Sequence, residues 1–354
     1  ELTTKVTEGT ESVYVTVEVA SSIALLPEEP MQVRFDSPRI GYFTTDVLSF
    51  SDDQQRVDNR HYVQRWRLVP SDTAAYLKGK LVEPVKPIKF YIDNRAPRKW
   101  RKYLLQGITD WNVAFERIGF KNAIVAEMLP DSISADDDDF NHSTLMYAAS
   151  PKANAMGPWT PDPRTGEILE ADIMWWHNVL SMLQQWITVQ TGAVCPEART
   201  MNLPDSLMGD AIRFVICHEV GHSLGLRHNM IASAAFAVDS LRSRSFTDRM
   251  GCTSASIMDY ARYNYIAQPG DGVTKLAPHI GPYDLLAIEY GYRWYGTMSP
   301  EAERKHLNAL LKAHTGSLYR YSEAQSSRDA VDPRALSEDL GDDAVKSSNL
   351  GIEN

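Results

Sequence analysis

The feature that most constrains this chain is the stretch from residue 218 to residue 228, which reads H-E-x-x-H-x-x-G-x-x-H. Residues four apart share one face of an α-helix, so His218 and His222 can direct two imidazoles at one metal ion. Glu219 can reach a water on that ion. Gly225 predicts a helix end in the left-handed conformation, after which His228 can return as a third ligand. Three nitrogen ligands with an open fourth position are typical of a catalytic zinc site.

The spacing of the motif is specific. With 9 histidines in 354 residues, ordinary residue frequencies give a chance H-E-x-x-H in about one such chain in a hundred. The added glycine and third histidine lower this to about one in a hundred thousand. The alternatives are a buried helix with incidental histidines and a degenerate site that no longer turns over. The pattern favours a working metal centre over both.

The extended motif, followed by a methionine-containing turn, is the signature of the metzincin clan of zinc metallopeptidases. The chain resembles that clan, and most of all the large bacterial zinc-dependent metalloproteases called Met-zincins. The resemblance is carried position for position by His218, Glu219, His222, Gly225 and His228.

A second element, residues 256–260 with the sequence S-I-M-D-Y, strengthens the resemblance. Met258 matches the methionine that forms an apolar floor beneath the zinc in metzincins. Tyr260 is similar to the tyrosine that in astacins and serralysins binds the metal and stabilises the transition state. Packing of either side chain in the core is the alternative. Asn229 follows the third histidine, where several metzincin families have an acidic residue, so the subfamily stays open.

The resemblance implies a zinc-dependent endopeptidase acting on a protein or peptide substrate. One catalytic Zn²⁺ would be held by His218, His222 and His228. Glu219 would act as general base and Tyr260 would assist catalysis, while Gly225 and Met258 would support the site. An extracytoplasmic location (periplasm, cell surface or secretion) is also implied. Two alternatives remain: an inactive metzincin-fold module that binds peptide or glycan, and a zinc hydrolase of a non-peptide amide.

Composition excludes several other classes. The net charge of −10 and the absence of a lysine or arginine block argue against nucleic-acid binding. No apolar run approaches the roughly 18 residues that a membrane helix needs. Three cysteines do not make a disulfide framework, although Cys195 and Cys252 could form one pair. Cys217, inside the predicted zinc helix, is expected to be buried. The oligomeric state is left open.

The predicted fold is α+β, with a metzincin-like catalytic domain over residues 86–299. We expect a mixed twisted sheet and the zinc helix in a first subdomain that ends at His228, and a small helical C-terminal subdomain after it. Residues 1–85 are predicted to be a β-rich N-terminal region, either accessory or a pro-like segment over the cleft. Residues 300–354 read as a helical and then polar C-terminal extension.

Local patterns predict the individual elements. Alternation and β-branched residues favour strands, and apolar spacings of three and four favour helices. Predicted strands cover 13–19, 31–35, 62–69, 87–93, 122–128, 142–148 and 168–176, and predicted helices cover 98–118, 178–191, 281–291 and 300–311. Asp205 or Ser206 should cap the zinc helix. Gly221 costs helix propensity there, which close packing against a neighbouring strand would explain.

The resemblance also assigns roles to two regions around the cleft. The strand over 168–176 would be the sheet edge that pairs with the substrate backbone, and residues 264–280 would form the wall of a specificity pocket. Separately, Asp136 to Asp139 form an acidic loop, which we expect to be solvated. Ca²⁺ is the alternative, but the spaced pattern of an EF-hand loop is missing.

Overall fold

A computed structural model describes residues 2–8, 11–17, 21–134, 140–323 and 332–354. It confirms an α+β fold. The strands are β1 (Leu2–Glu8), β2 (Glu11–Val17), β3 (Thr44–Ser49), β4 (Asp58–Val63), β5 (Ile88–Ile92), β6 (Ile124–Met128), β7 (Ser143–Ala148), β8 (Ala155–Met156), β9 (Trp159–Pro161), β10 (Ile168–Ala171) and β11 (Ile173–Trp176).

The α-helices are α1 (Thr73–Leu77), α2 (Arg101–Thr109), α3 (Asn112–Arg117), α4 (Val179–Thr191), α5 (Asp205–Ser223), α6 (Val238–Leu241), α7 (Arg244–Met250), α8 (Pro282–Tyr292), α9 (Pro300–Ala313) and α10 (Ala344–Glu353). Short 3₁₀ helices cover Pro196–Arg199, Ser233–Ala235 and Ser317–Tyr319. The acidic loop at 136–139 lies outside the described residues, so the calcium alternative stays untested.

The central sheet has five strands in the order β6-β5-β7-β11-β8. The first four run parallel, and β8 is antiparallel to β11. In β5, the alternating residues Ile88, Phe90 and Ile92 are buried, which is why this segment forms a strand at the centre of the core. The predicted mixed sheet is therefore confirmed.

The predicted helix over 98–118 is wrong in its continuity, because the chain forms α2 and α3 with a break at Asp110 and Trp111. Trp111 is fully buried at this break, and its indole N–H donates to the carbonyl of Cys217 in α5 at 2.8 Å. A Cβ at Gly107 would lie 2.7 Å from the carbonyl oxygen of Arg213. The helix pair therefore lies very close to α5, which carries the motif.

The predicted strand over 168–176 is divided at Asp172 into two strands with different partners. β10 pairs with β9, and β11 pairs with β7 and β8. The edge of the central sheet on this side is therefore β8, and the prediction that 168–176 forms the edge is wrong. Because β8 is only two residues long, it has no alternating pattern from which the sequence could have predicted it.

The N-terminal region contributes to the same core as α5. Neither 31–35 nor 62–69 forms a full strand, and the regular pairing in this region consists of two antiparallel hairpins, β1 with β2 and β3 with β4. Ile40, Tyr42 and Val63 are nonetheless buried in the main core. Ile40 and Tyr42 lie in irregular chain that packs on the core, whereas Val63 is the last residue of β4.

Two further sequence predictions have clear outcomes. All three cysteines are free, so the pairing of Cys195 with Cys252 is wrong, while Cys217 is buried as expected. Among the described residues, no helix combines the length and the apolar character needed to cross a membrane.

Candidate metal centre

The helix α5 brings the first two predicted ligands together. It begins at Asp205 after Pro204, and neither Asp205 nor Ser206 supplies a side-chain cap, so that prediction is wrong. The carboxylate of Asp205 lies in the first turn, where the helix dipole favours negative charge. His218 and His222 occupy the last two turns, one turn apart on the same face.

The third histidine returns to the first two after a sharp turn. Gly225 has a φ of +92°, in the left-handed region that glycine favours. His228 then lies with its ring centroid 4.6 Å from that of His222 and 5.3 Å from that of His218. The ligand atoms of the three histidines all lie within 4.8 Å of one another. The folded chain thus forms the cluster that the motif predicts.

Backbone carbonyls orient two of the imidazoles. The Nδ1 of His218 lies 2.8 Å from the carbonyl oxygen of Ile257, and the Nδ1 of His222 lies 2.8 Å from that of Leu226. Each Nδ1 therefore carries the proton and donates it to a carbonyl. Each Nε2 keeps its lone pair for a metal, which is the usual outer-shell arrangement of zinc-binding histidines.

The electrostatics of the cluster also suit a cation. Burial lowers the pKa of His218 well below its ordinary value, with the neighbouring His222 adding to the effect. Burial lowers the pKa of His222 as well, and that of His228 to about 3. The imidazoles are therefore neutral near pH 7, as metal ligands must be. Three neutral nitrogen donors at this spacing fit Zn²⁺ with one position left open.

Glu219 lies beside the cluster, with 8% of its surface exposed. In the metal-free protein, burial raises the pKa of its carboxyl to about 8. The side chain of Glu219 lines the same pocket as that of His218. It is therefore placed to exchange a proton with a group bound at the metal.

Met258 forms the apolar floor under the last turns of α5. The side chain is fully buried, and a Cβ at Gly221 would lie 2.2 Å from its Sδ and 3.0 Å from the ring of Trp111. Close packing therefore explains Gly221, as predicted. The predicted neighbour was a strand, however, and the observed neighbour is the methionine turn. The missing side chain lets Met258 pack directly against the last turn of α5.

Asp284, which sequence reasoning did not single out, holds this turn in place. Its carboxylate accepts hydrogen bonds from the hydroxyl of Ser256 at 2.5 Å and the amide of Ile257 at 2.8 Å. Because the carbonyl of Ile257 accepts a hydrogen bond from the Nδ1–H of His218, Asp284 supports this metal ligand through the turn. The only sequence feature that marks Asp284 is its place in the first turn of α8, where its carboxylate also accepts a hydrogen bond from the amide of Gly281.

Asn229, which stands where several metzincin families have an acidic residue, has a structural explanation. Its amide N–H donates to the carbonyl of Met258 at 3.0 Å. Its side-chain nitrogen donates to the carbonyl of Arg320 at 2.9 Å, and its side-chain oxygen accepts from the amide of Ser322 at 3.0 Å. A carboxylate could not donate the bond to Arg320, so an amide suits this position.

Tyr260 lies at the same cluster. Its ring centroid is 4.6 Å from that of His228 and 5.6 Å from that of His218. Burial raises the pKa of its phenol, so the hydroxyl remains protonated at neutral pH. The guanidinium of Arg262 stacks between Tyr260 and Trp186, at 4.4 Å and 4.1 Å from their ring centroids. This stacking restricts the ring of Tyr260, and the sequence carried no sign of it.

A pocket of about 160 Å³ opens beside His218 and Glu219. Its walls come from the edge strand at Ala155, from α4, from α5 and from Arg262. Among the described residues, 264–280 contribute nothing to this lining, and their role as the wall of a specificity pocket stays a prediction. The remaining lining residues are mainly apolar: Val179, Met182, Trp186, Phe214 and Val215.

Comparison with known proteins agrees with this geometry. Residues 200–354, which contain the whole histidine cluster and the methionine turn, match the family model described as Met-zincin. Residues 1–71 match a model described as a domain of unknown function (DUF5117). No curated protein and no solved structure matches the chain. The match and the three histidines together indicate a zinc metallopeptidase.

Proposed function

We propose that the protein is a zinc-dependent endopeptidase of the metzincin type. The observation that carries this proposal is the cluster of three neutral imidazoles, two of them oriented by backbone carbonyls, with a buried carboxyl beside it. A closed structural site would fill the fourth position with a protein ligand. Among the described residues, no fourth histidine, cysteine or carboxylate joins this cluster.

The chemistry divides between the metal and the side chains. A zinc ion held by His218, His222 and His228 would polarise the scissile carbonyl and lower the pKa of a water at the open position. Glu219 would take the proton of the attacking water and return it to the leaving amine. Its burial beside the ligands, in the pocket that His218 also lines, supports this role as a proton carrier.

The edge strand and the pocket suggest how a peptide would lie. Within the central sheet, β8 is an edge strand that pairs only with β11, and its residue Met156 is 47% exposed. An extended peptide could add to this edge through main-chain hydrogen bonds. One side chain would then enter the apolar pocket lined by Ala155 and Trp186. The resemblance adds an extracytoplasmic location to the proposal.

The proposal is tested by metal analysis together with proteolysis. The purified protein should contain one zinc per chain and cleave a denatured protein substrate. A chelator should abolish cleavage, and stoichiometric zinc should restore it. A protein that holds zinc but cleaves neither proteins nor a peptide library would favour the inactive binding module. Cleavage of peptidoglycan in place of protein would favour a hydrolase of a non-peptide amide.

Replacement of Tyr260 by phenylalanine should lower kcat more than it raises KM. Its hydroxyl is proposed to donate to the oxyanion only in the transition state, and the loss of one such donor costs about 10²–10³-fold in kcat. Steady-state kinetics on a peptide substrate would measure this. The matched control is Tyr14→Phe, since Tyr14 is 76% exposed. An unchanged kcat would return Tyr260 to a packing role.

A further inference from the structure

A second cavity, of about 140 Å³, is lined by arginines and by none of the residues of the metal centre. Met31, Val69 and Trp294 form part of its apolar wall. Its lining comes from both matched segments, since residues 30–69 lie within the match over 1–71, and residues 292–303 lie within the match over 200–354. The cavity has room for a molecule of a few non-hydrogen atoms.

Four arginines line this cavity, and three of them are neutralised by glutamates. The pairs join nitrogen and oxygen atoms at 2.6 to 2.8 Å: Arg34 with Glu303, Arg67 with Glu167, and Arg293 with Glu289. The first two pairs are bidentate, with two nitrogens of the guanidinium on two oxygens of one carboxylate. Their charges are therefore balanced within the protein.

Arg65, the fourth arginine, forms no ion pair among the described residues, although the carboxylate of Glu303 attracts it without direct contact. It is 7% exposed, and its one side-chain hydrogen bond there runs from Nη2 to the carbonyl oxygen of Gln32 at 3.0 Å. Its Nε is buried without a partner. Burial lowers the pKa of Arg65 to about 10, so the group remains charged at neutral pH. A buried, unpaired charge is costly, and an anion in the cavity would offset that cost.

We infer that this cavity is a binding site for a small monocarboxylate, whose carboxylate pairs with Arg65 and whose hydrocarbon part contacts the apolar wall. A guanidinium presents a planar fork of donors that matches a carboxylate. One unpaired positive charge balances one negative charge. A dianion such as phosphate would leave excess negative charge close to Glu303, which also lines the cavity. The site does not depend on the proposed peptidase activity.

Calorimetric titration of the zinc-loaded protein with sodium butyrate, at constant ionic strength in chloride, tests the inference. The wild type should show one saturable site, and Arg65→Gln should weaken binding at least about tenfold, as expected for the loss of a charged hydrogen-bonded pair. Butyrate on the zinc would bind the two proteins equally, so the comparison separates the two sites. Absent binding, or equal binding to both proteins, would overturn the inference.

Two further variants keep the test decisive if Arg65→Gln does not fold. Val69→Trp should block the cavity while leaving Arg65 in place, because Val69 lines the cavity and the larger ring would occupy its volume. It should lose butyrate binding, and retained binding would contradict the site. Arg39→Gln is the matched control, because Arg39 donates only to backbone carbonyls and does not line this cavity. It should bind butyrate as the wild type does. Phosphate binding tighter than butyrate would overturn the monocarboxylate assignment.

Discussion

Replacement of Glu219 by glutamine is expected to lower kcat for peptide hydrolysis by about 10²–10⁴-fold, the usual contribution of a general base. The amide has nearly the shape of the carboxyl but cannot take the proton of the attacking water. Zinc content should stay at one per chain, because the three histidine ligands and the carbonyls that orient His218 and His222 are untouched. Metal analysis and steady-state kinetics on the same preparations would measure both quantities.

The matched control for this variant is Glu116→Gln, since Glu116 is an exposed glutamate of α3. It should leave both zinc content and kcat unchanged. Retained turnover in Glu219→Gln would remove Glu219 from the mechanism. Loss of zinc from that variant would mean that the carboxylate contributes to metal binding, and the fall in kcat would then have a different cause.

The histidine cluster was predictable because its geometry is largely local. The period of the α-helix places His218 and His222 on one face, and a glycine three residues later allows the turn that returns His228. The predicted element types for β5, β6, β7, α4, α8 and α9 are confirmed for a similar reason, since each has an apolar pattern long enough to show its period.

The supporting contacts were not predictable, because they join residues that are distant in the chain. Asp284 holds the methionine turn from the start of α8, and Arg262, in the irregular chain after that turn, stacks on Trp186 of α4. No periodicity or local motif records such a pair. The broken helix at Trp111 is a similar case, since a tertiary contact with α5 overrides a continuous apolar stripe.

Replacement of Gly225 by alanine is expected to destabilise the protein by about 2–5 kcal/mol. Two costs add. A φ of +92° strains an L-residue by about 1–2 kcal/mol. The new Cβ would also lie 2.1 Å from the carbonyl oxygen of Gln64, and forcing backbone apart in a packed interior costs about 1–3 kcal/mol more. Denaturant unfolding of the zinc-free protein would give the free energy.

The control that separates these two costs is Gly270→Ala. Gly270 has a φ of +99°, close to that of Gly225, but a Cβ there would meet nothing within 4 Å. It should therefore show the strain of about 1–2 kcal/mol alone. Equal destabilisation in both variants would mean that the contact with Gln64 relaxes at little cost.

The site adds a second readout to this pair of variants. Gly225 lies between His222 and His228, and its carbonyl accepts a hydrogen bond from the amide of Phe43 at 2.8 Å. The N-terminal segment thus abuts the turn that sets the position of the third ligand. A shift of this turn should weaken zinc binding in Gly225→Ala, whereas Gly270→Ala should bind zinc as the wild type does. Unchanged zinc affinity in Gly225→Ala would show that His228 reaches the metal without the close approach of Gln64.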